Sequence, residues 1–329
     1  MAEPGPGLQS GAANGPLGPE RAPAMSRVIA ITGFLGSGKT TLLKALLAHE
    51  ALAGDGVIVN EFGDVGIDHA LLEAGEEELV ELGSGCLCCA ARGDIPAAAA
   101  RLQAQRPCAR IWLETSGLAD PAPILQTLIA AHGLEAGGLA ATVDAVNGAE
   151  TLERYPEAVK QAALADLLIV TKRDLAPAQD LEARLRSLNP GAEIVEASFG
   201  ALDPARLLAI EPRLDAPDGH DHAAGISTFT LRRAEPVPAV ALTLFLETLA
   251  DAAGPDLLRL KGLVQIAEAP ERPVVVHGVQ HVFHPLDRLS RWPGADRSTR
   301  LVVIGRGIRQ DWAEALMETL IEEVERCSI

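Results

Sequence analysis

The stretch "GFLGSGKTT" (33–41) constrains the fold more than any other part of this chain. It fits the pattern G-x-x-x-x-G-K-[ST], and it lies between an apolar run, "RVIAIT", and a segment with helical spacing, "LLKALL". Glycines in such a loop let backbone N–H groups converge on phosphate oxygens, and the start of the helix adds a favourable dipole. The pattern therefore predicts a strand, a phosphate-binding loop and a helix, with an ordinary glycine-rich turn as the alternative.

The phosphate-binding interpretation assigns a role to each polar residue of this loop. Lys39 would contact the β- and γ-phosphates and act in catalysis, and the Thr40 hydroxyl would bind Mg²⁺. The residues expected to contact nucleotide here are Gly33, Gly36, Ser37, Gly38, Lys39, Thr40 and Thr41.

Apolar strands alternate with helical segments from residue 26 to about residue 213. The strands are short and continuously apolar, as in "GVIVN" and "DLLIV". Buried strands separated by helices are typical of a mostly parallel sheet that is covered on both faces, an α/β fold. The predicted helices cover 93–105, 121–132, 156–165 and 179–188.

The pattern changes after residue 213. Strand-like segments now follow one another with few helices between them, and helices are expected only over 238–253 and from about 310. This order favours a smaller α+β domain, an antiparallel sheet with two helices on one face. The predicted organisation is a disordered Gly/Pro/Ala-rich tail over 1–25, a first domain over 26–213, a polar linker over 214–226 and a second domain over 227–329.

Charge and cysteine content limit the partners and the compartment. The 329 residues include 28 Lys and Arg against 45 Asp and Glu, a net charge of −17. Such an acidic chain is repelled by phosphate backbones and anionic lipids, so we expect neither nucleic acid nor membrane as a partner. Five cysteines, an odd number, and the lack of a signal peptide or a long apolar run favour the cytoplasm.

The strand "LLIVTKRD" (167–174) ends in a pattern that suggests which base is bound. It resembles the guanine-recognition motif [NT]-K-x-D, in which the Asp174 carboxylate would accept both N–H donors of the guanine N1/N2 edge. Lys172 would lie along the base. Thr171 stands where Asn is usual, and a surface turn is the alternative interpretation.

Two further strand ends carry acidic residues. In "IWLETSG" (111–117), Glu114 is expected near Mg²⁺ or the attacking water, and the Gly117 N–H near the γ-phosphate. The segment "VNEFGDVGID" (59–68) suits a mobile element that responds to the nucleotide. Its candidate metal or Mg²⁺ ligands are Glu61, Asp64 and Asp68, among which we assign catalysis to Glu61 and Mg²⁺ to Asp68.

Three of the five cysteines lie together in "GCLCC" (85–89). Thiolates select soft cations such as Zn²⁺, Co²⁺ or Cu⁺ over Mg²⁺. Cys86, Cys88 and Cys89 could cap one face of a tetrahedral metal and leave its fourth position open, which suits a metal that must later leave. Inert buried thiols and a redox pair are the alternatives, and we interpret Cys108 and Cys327 as inert.

Four blocks together, "GFLGSGKTTLL", "VNEFGDVGID", "GCLCC" and "ETSGLADP", resemble the CobW-type GTPases. This group of P-loop metallochaperones is related to the nickel-insertion GTPases of urease and hydrogenase. The later "TKRD" and the C-terminal "RLKGLVQI" and "HGVQHVFHPLDRLSRWP" extend the resemblance from about residue 26 to the end. It implies Mg²⁺-dependent GTP hydrolysis coupled to delivery of zinc, or cobalt, to a client apo-metalloprotein, with the three cysteines holding the cargo.

Histidines are candidate metal ligands at two places in the chain. The His-rich linker of the family is reduced to His220 and His222, which favours a solvated linker. His277 and His281, four apart on a predicted strand, would face the same side and either bind metal or lie on the surface of the sheet.

Two rival functions are a metal-responsive regulator without cargo delivery and a small-molecule kinase. The client is unidentified, and a homodimer is left open.

Overall fold

The structure is a computed structural model that describes residues 25–60, 79–81, 87–90, 94–199, 201–210, 221–223 and 225–327. Within it, only the backbone is described for Asn60 and for the three short segments 79–81, 87–90 and 221–223. Several predictions fall outside these ranges: the disordered tail up to residue 24 and the roles of Glu61, Asp64, Asp68, Cys86 and His220.

The first half of the described chain forms an eight-stranded sheet in the order β3-β4-β2-β5-β1-β6-β7-β8. Every neighbouring pair is parallel except β3 and β4, so the mostly parallel sheet is confirmed. The strands are β1 (Ser26–Gly33), β2 (Gly56–Asn60), β3 (Leu79–Glu81), β4 (Leu87–Ala90), β5 (Arg110–Thr115), β6 (Leu134–Asp144), β7 (Leu167–Thr171) and β8 (Glu193–Ala197).

Helices cover both faces of this sheet, as its apolar strands require. On β1, Val28 and Ala30 pack against α2 and α3, whereas Ile29 and Ile31 pack against α1, because successive side chains of a strand point to opposite faces. The helices are α1 (Lys39–Leu47), α2 (Ile95–Gln105), α3 (Ala122–Ala130), α4 (Gly148–Arg154), α5 (Pro156–Leu164), α6 (Gln179–Leu188) and α7 (Pro204–Leu208), with a 3-10 turn at Glu50–Leu52.

The second half forms an antiparallel sheet in the order β13-β12-β11-β15-β10-β9, with β14 paired to β12. Its strands are β9 (Asp221–Ala223), β10 (Ile226–Arg233), β11 (Leu257–Val264), β12 (Val274–Val279), β13 (Val282–Phe283), β14 (Asp287–Arg288) and β15 (Thr299–Arg306). Two helices, α8 (Ala239–Ala253) and α9 (Gln310–Cys327), follow β10 and β15, and a 3-10 turn lies at Gly254–Asp256.

The two faces of the antiparallel sheet have different partners. Phe229 and Leu231 of β10 pack with Phe245 of α8 and Met317 of α9, so the predicted pair of helices on one face is confirmed. On the other face Ile226, Leu258, Val302 and Ile304 join a cluster with α5 and α6. The second sheet is therefore sandwiched between its own helices and those of the first.

Short elements are where the structure differs from the sequence prediction. The pattern shows neither α4 nor α7, because two turns of helix or fewer are too short to establish a period. Part of the predicted linker, Asp221–Ala223, is instead strand β9 on the edge of the second sheet. Among the described residues, helices with the length and hydropathy to cross a membrane are absent.

Candidate nucleotide and metal site

The phosphate-loop residues lie between the end of β1 and the start of α1. Gly36 and Gly38 have φ values of +70° and +97°, in the region that glycine reaches without strain. A Cβ at Gly33 would lie 2.3 Å from Thr142 Oγ1, so a side chain does not fit there. The loop thus leads directly into the N-terminus of α1, whose first backbone N–H groups have no partner inside the helix and attract anions.

Side chains from neighbouring strands support this loop. The buried Lys39 donates from Nζ to the carbonyl oxygens of Gly33 (2.9 Å) and Phe34 (3.2 Å). Ser37 Oγ lies 2.6 Å from Thr142 Oγ1 on β6, and Thr171 Oγ1 donates to the Ser37 carbonyl over 2.8 Å. Its two hydrogen bonds hold the Lys39 ammonium against the loop, where it can contact a group bound there.

The predicted Mg²⁺ ligands Thr40 and Glu114 are in direct contact. Thr40 Oγ1 donates to Glu114 Oε1 over 2.7 Å, and Glu114 is buried near the end of β5. A hydroxyl and a carboxylate at the mouth of a phosphate loop are hard oxygen donors of the kind that Mg²⁺ prefers, so these residues fit the metal. Thr41, by contrast, is exposed.

Gly117 packs against the loop through its backbone. A Cβ there would lie 2.6 Å from Leu35 Cδ2 and 2.9 Å from Leu35 N, so the two segments touch. Gln161 of α5, which the sequence analysis did not identify, donates from Nε2 to the carbonyls of Gly117 and Ala119, each over 3.1 Å. Any movement of the turn at Gly117 would therefore change its contacts with both the phosphate loop and α5.

Lys172 and Asp174 lie in different surroundings. Lys172 has a φ of +57°, and its Nζ lies 2.5 Å from Oδ2 of Asp144 at the end of β6. Lys172 and Asp144 line a cavity of about 100 Å³ beside Ser37, whereas Asp174 is exposed and is not among its lining residues. The structure therefore brings Lys172, but not Asp174, to the edge of the phosphate loop.

Asp144 is a site residue that motif-based reasoning missed. Burial by itself would raise the pKa of Asp144, but the hydrogen bond from Lys172 and those from Val146 and Asn147 lower it below the usual value, so the carboxylate is charged. The signal that could have found it is its position, since Asp144 ends a parallel strand as Glu114 nearly does, and such strand ends meet at one edge of the sheet.

The cysteine cluster lies partly in a strand. The backbone of Cys88 and Cys89 belongs to β4, and Cys86 is outside the described residues. Cys88 pairs with Val57 and Cys89 with Ile58 of β2. Because β2 also pairs with β5, one strand separates these cysteines from the strand that carries Glu114.

The prediction that His277 and His281 lie on one strand and face the same side is wrong. The strand β12 ends at Val279, and Val279 then pairs with Val282, so Gln280 and His281 form a two-residue turn. His281 is exposed in that turn, whereas the His277 ring packs edge-on against His284, 5.6 Å between centroids. Across the residues that the structure describes, no group of three or more His, Cys, Asp or Glu side chains is placed to hold a metal.

The parallel sheet, the glycine loop between β1 and α1, and the adjoining Thr40–Glu114 pair define the class of protein, a P-loop nucleoside triphosphatase. Comparison with known proteins identifies the family within this class. Residues 27–196 match the family described as CobW/HypB/UreG, nucleotide-binding domain, and residues 226–321 match the cobalamin synthesis protein cobW C-terminal domain. The chain belongs to the CobW family.

Relatives and a solved structure agree with this assignment. The zinc chaperone CobW of Pseudomonas aeruginosa is 34% identical over 86% of this chain and 88% of its own length. The zinc chaperone YjiA of Escherichia coli K12 is 31% identical over 78% of this chain and 86% of its own. The crystal structure of Zn(II)-bound YjiA GTPase from E. coli superposes with a TM-score of 0.75, at 26% identity, covering 90% of this chain and 99% of that one.

Proposed function

We propose that this chain is a cytoplasmic, GTP-hydrolysing metallochaperone that carries zinc, with cobalt as the alternative cargo, to a client apo-metalloprotein. The nucleotide-binding domain would span 26–213, the linker 214–226 and the C-terminal domain 227–329. Membership of the CobW family and the zinc-chaperone names of its relatives support the proposal. The observation that carries it is the strand order, in which β2 separates the cysteine strand β4 from the Glu114 strand β5.

The proposed hydrolysis relies mainly on positioning and charge. The backbone N–H groups of residues 36–40 and the Lys39 ammonium would bind the phosphates, and Thr40, Glu114 and Asp68 would hold Mg²⁺. With Mg²⁺ held by these residues, the charge that develops on the transferring phosphoryl group would be neutralised. Glu61 would orient the attacking water, and the Gly117 N–H would contact the γ-phosphate.

Coupling between GTP and the cargo metal would pass through the sheet. In register, Val59 of β2 lies opposite Ala90 of β4 on one side and opposite Glu114 of β5 on the other. Adjacent strands lie about 4.8 Å apart, so β4 and β5 are separated by only about 10 Å. If GTP tightens metal binding at Cys86, Cys88 and Cys89, the metal must tighten GTP binding by the same factor.

A competition titration tests this coupling. Zn²⁺ and Co²⁺ are titrated against a chelator with a non-hydrolysable GTP analogue, with GDP, or without nucleotide. We expect the analogue to raise the metal affinity at least about tenfold over GDP, which corresponds to about 1.4 kcal/mol of coupling. Replacing Cys88 and Cys89 by Ser should abolish the nucleotide effect, and Cys327→Ser, an exposed cysteine at the end of α9, is the matched control.

Equal metal affinities in all three nucleotide states would contradict the coupled mechanism even if metal binds. Delivery itself needs a second measurement, the transfer of radiolabelled zinc to an apo-enzyme. Transfer that requires GTP supports a chaperone. Tight, coupled binding without transfer would support a regulator instead.

Guanine selection is proposed to rest on Asp174, with Lys172 along the base. Two hydrogen bonds to a charged group are worth about 3 kcal/mol or more, so Asp174→Ala should lower GTP affinity at least about a hundredfold and leave ATP affinity unchanged. Asp180→Ala, another exposed aspartate at the start of α6, is the control. Unchanged GTP affinity in Asp174→Ala would favour a kinase that does not select guanine.

A further inference from the structure

A cavity of about 260 Å³ lies between the two sheets, and none of the phosphate-loop residues lines it. Arg27 and Gly138 of the first sheet and Asp166, just before β7, line it on one side, and Arg259 and His277 of the second sheet line it on the other. A water molecule takes up about 30 Å³ of liquid, so this volume is sufficient for a small ligand. Its apolar wall comes from α3, with Leu125, Leu128 and Ile129.

The charges that line this cavity do not balance. Asp166 Oδ1 accepts hydrogen bonds from Arg259 Nη2 (2.6 Å) and from the Lys261 ammonium, and all three side chains are more than nine-tenths buried. Arg27, a third cation, donates to the backbone carbonyls of 137, 208 and 210. Glu135 also lines the cavity but is exposed, so the buried part carries excess positive charge.

Three of the lining residues also keep a buried nitrogen without a hydrogen-bond partner among the described residues. These atoms are Nε of Arg27, Nε of Arg259 and Nε2 of His277. The arginine atoms are N–H donors, and a neutral imidazole can carry its proton on Nε2 and donate as well. Buried polar groups without partners are rare in folded proteins, and each calls for an acceptor.

We propose that this interdomain cavity binds a small oxyanion, a carboxylate or a phosphate, between Arg27, Arg259 and His277. A water molecule could accept hydrogen bonds from these nitrogen atoms, but it would leave the excess positive charge uncompensated. An oxyanion would accept the same hydrogen bonds and also compensate the charge. A metal cation is disfavoured, because Lys261 and Arg259 would repel it from the histidines. Since both sheets contribute residues, the bound anion would also hold the two sheets together.

The test uses the full chain with its phosphate loop filled by a non-hydrolysable GTP analogue and Mg²⁺, so that added anions bind elsewhere. Phosphate, sulfate and the series acetate, propionate and butyrate are titrated by calorimetry at constant ionic strength, with chloride as the reference. We expect saturable binding of one oxyanion per chain and a higher unfolding temperature. Affinity that grows along the carboxylate series would identify an organic acid against the α3 wall, and preference for phosphate and sulfate an inorganic one.

Substitutions of the lining residues test whether the anion binds in this cavity. His277→Leu and Arg27→Gln should each weaken the anion at least about tenfold, and His281→Ala, in the exposed turn of the same hairpin, should stay within about twofold. Circular dichroism and affinity for the GTP analogue confirm that each variant is folded. The proposal is overturned if no oxyanion saturates the protein by about 10 mM, or if His277→Leu folds and binds the anion as the unaltered chain does.

Discussion

At the scale of single residues, substitutions can distinguish the role of the Thr40 hydroxyl from that of the adjacent Thr41. Thr40 Oγ1 contacts Glu114 Oε1, whereas the adjacent Thr41 is exposed. Thr40→Val keeps the shape and removes the proposed Mg²⁺ ligand together with this hydrogen bond. Because a hydrogen bond to a charged group contributes about 1.5–3 kcal/mol, we expect GTP hydrolysis to fall at least about tenfold.

Steady-state phosphate release at several Mg²⁺ concentrations measures this effect, and Thr41→Val serves as the matched control. Excess Mg²⁺ should restore part of the activity, since the remaining ligands still bind the metal weakly. Equal loss in both variants, or no loss in either, would exclude Thr40 as a ligand.

At the scale of elements, the contact between β11 and β15 depends on one glycine. Gly262 has a φ of +156°, and a Cβ there would lie 1.8 Å from the carbonyl oxygen of Arg300 on β15. Gly262→Ala must push the two strands apart, and we expect it to lower the free energy of unfolding by about 2–4 kcal/mol.

Urea unfolding monitored by circular dichroism tests this prediction. Gly294→Ala is the control, because a Cβ there meets nothing within 4 Å and its backbone needs no positive φ. A Gly262→Ala variant as stable as Gly294→Ala would show that β15 moves away without cost.

The arrangement of elements also explains why the sequence pattern does not predict the position of His281. The reversal between β12 and β13 uses Gln280 at a φ of +54°, and neither Gln280 nor His281 carries the Asn-Gly type of signal that marks such turns. The pattern therefore predicts one continuous strand, in which His281 would face the same side as His277. The real neighbour of His277, His284, is found only when the register of the hairpin is known.

At the scale of the whole molecule, the buried His277 between the two sheets should make the stability of the protein depend on pH. Burial, and then the charges of Lys261 and Arg259, lower the pKa of His277 to about 3, whereas an unfolded histidine titrates near 6.5. Between about pH 6.5 and pH 3 the unfolded chain therefore binds a proton that the folded chain does not. Stability attributable to His277 is lost as the pH falls through this window, by up to about 1.4 kcal/mol per pH unit.

Urea unfolding between pH 7 and about pH 4 checks this, with His277→Leu expected to show a flatter dependence than the unaltered chain. Asp166 adds little in this window: its pKa is lowered by Arg259 and Lys261 against the opposing effect of burial, so its contribution is lost only below about pH 4. The exposed His281→Ala variant should keep the original slope. An unchanged slope in His277→Leu would mean that the buried ring does not control acid stability.

Local patterns in the amino-acid sequence are enough to predict the fold class and the backbone of the phosphate loop, because both are encoded in short stretches of the chain. Apolar strands require cover on both faces, and the loop "GFLGSGKTT" specifies its own backbone through closely spaced glycines. The position of Glu114 beside the phosphate loop also follows from the sequence, since Glu114 lies near the end of an apolar strand and such ends meet at one edge. Here a short window of residues contains the physical cause of the structure.

The surroundings of Asp144, Gln161 and the interdomain cavity follow only from the tertiary structure. Asp144 meets Lys172 across 28 residues, and Asp166 meets Arg259 across 93, so no periodicity or spacing brings these residues together. Their partners follow from strand order and from how the second sheet packs on α5 and α6. Buried charges are paired by the global arrangement of elements, which a local pattern does not contain.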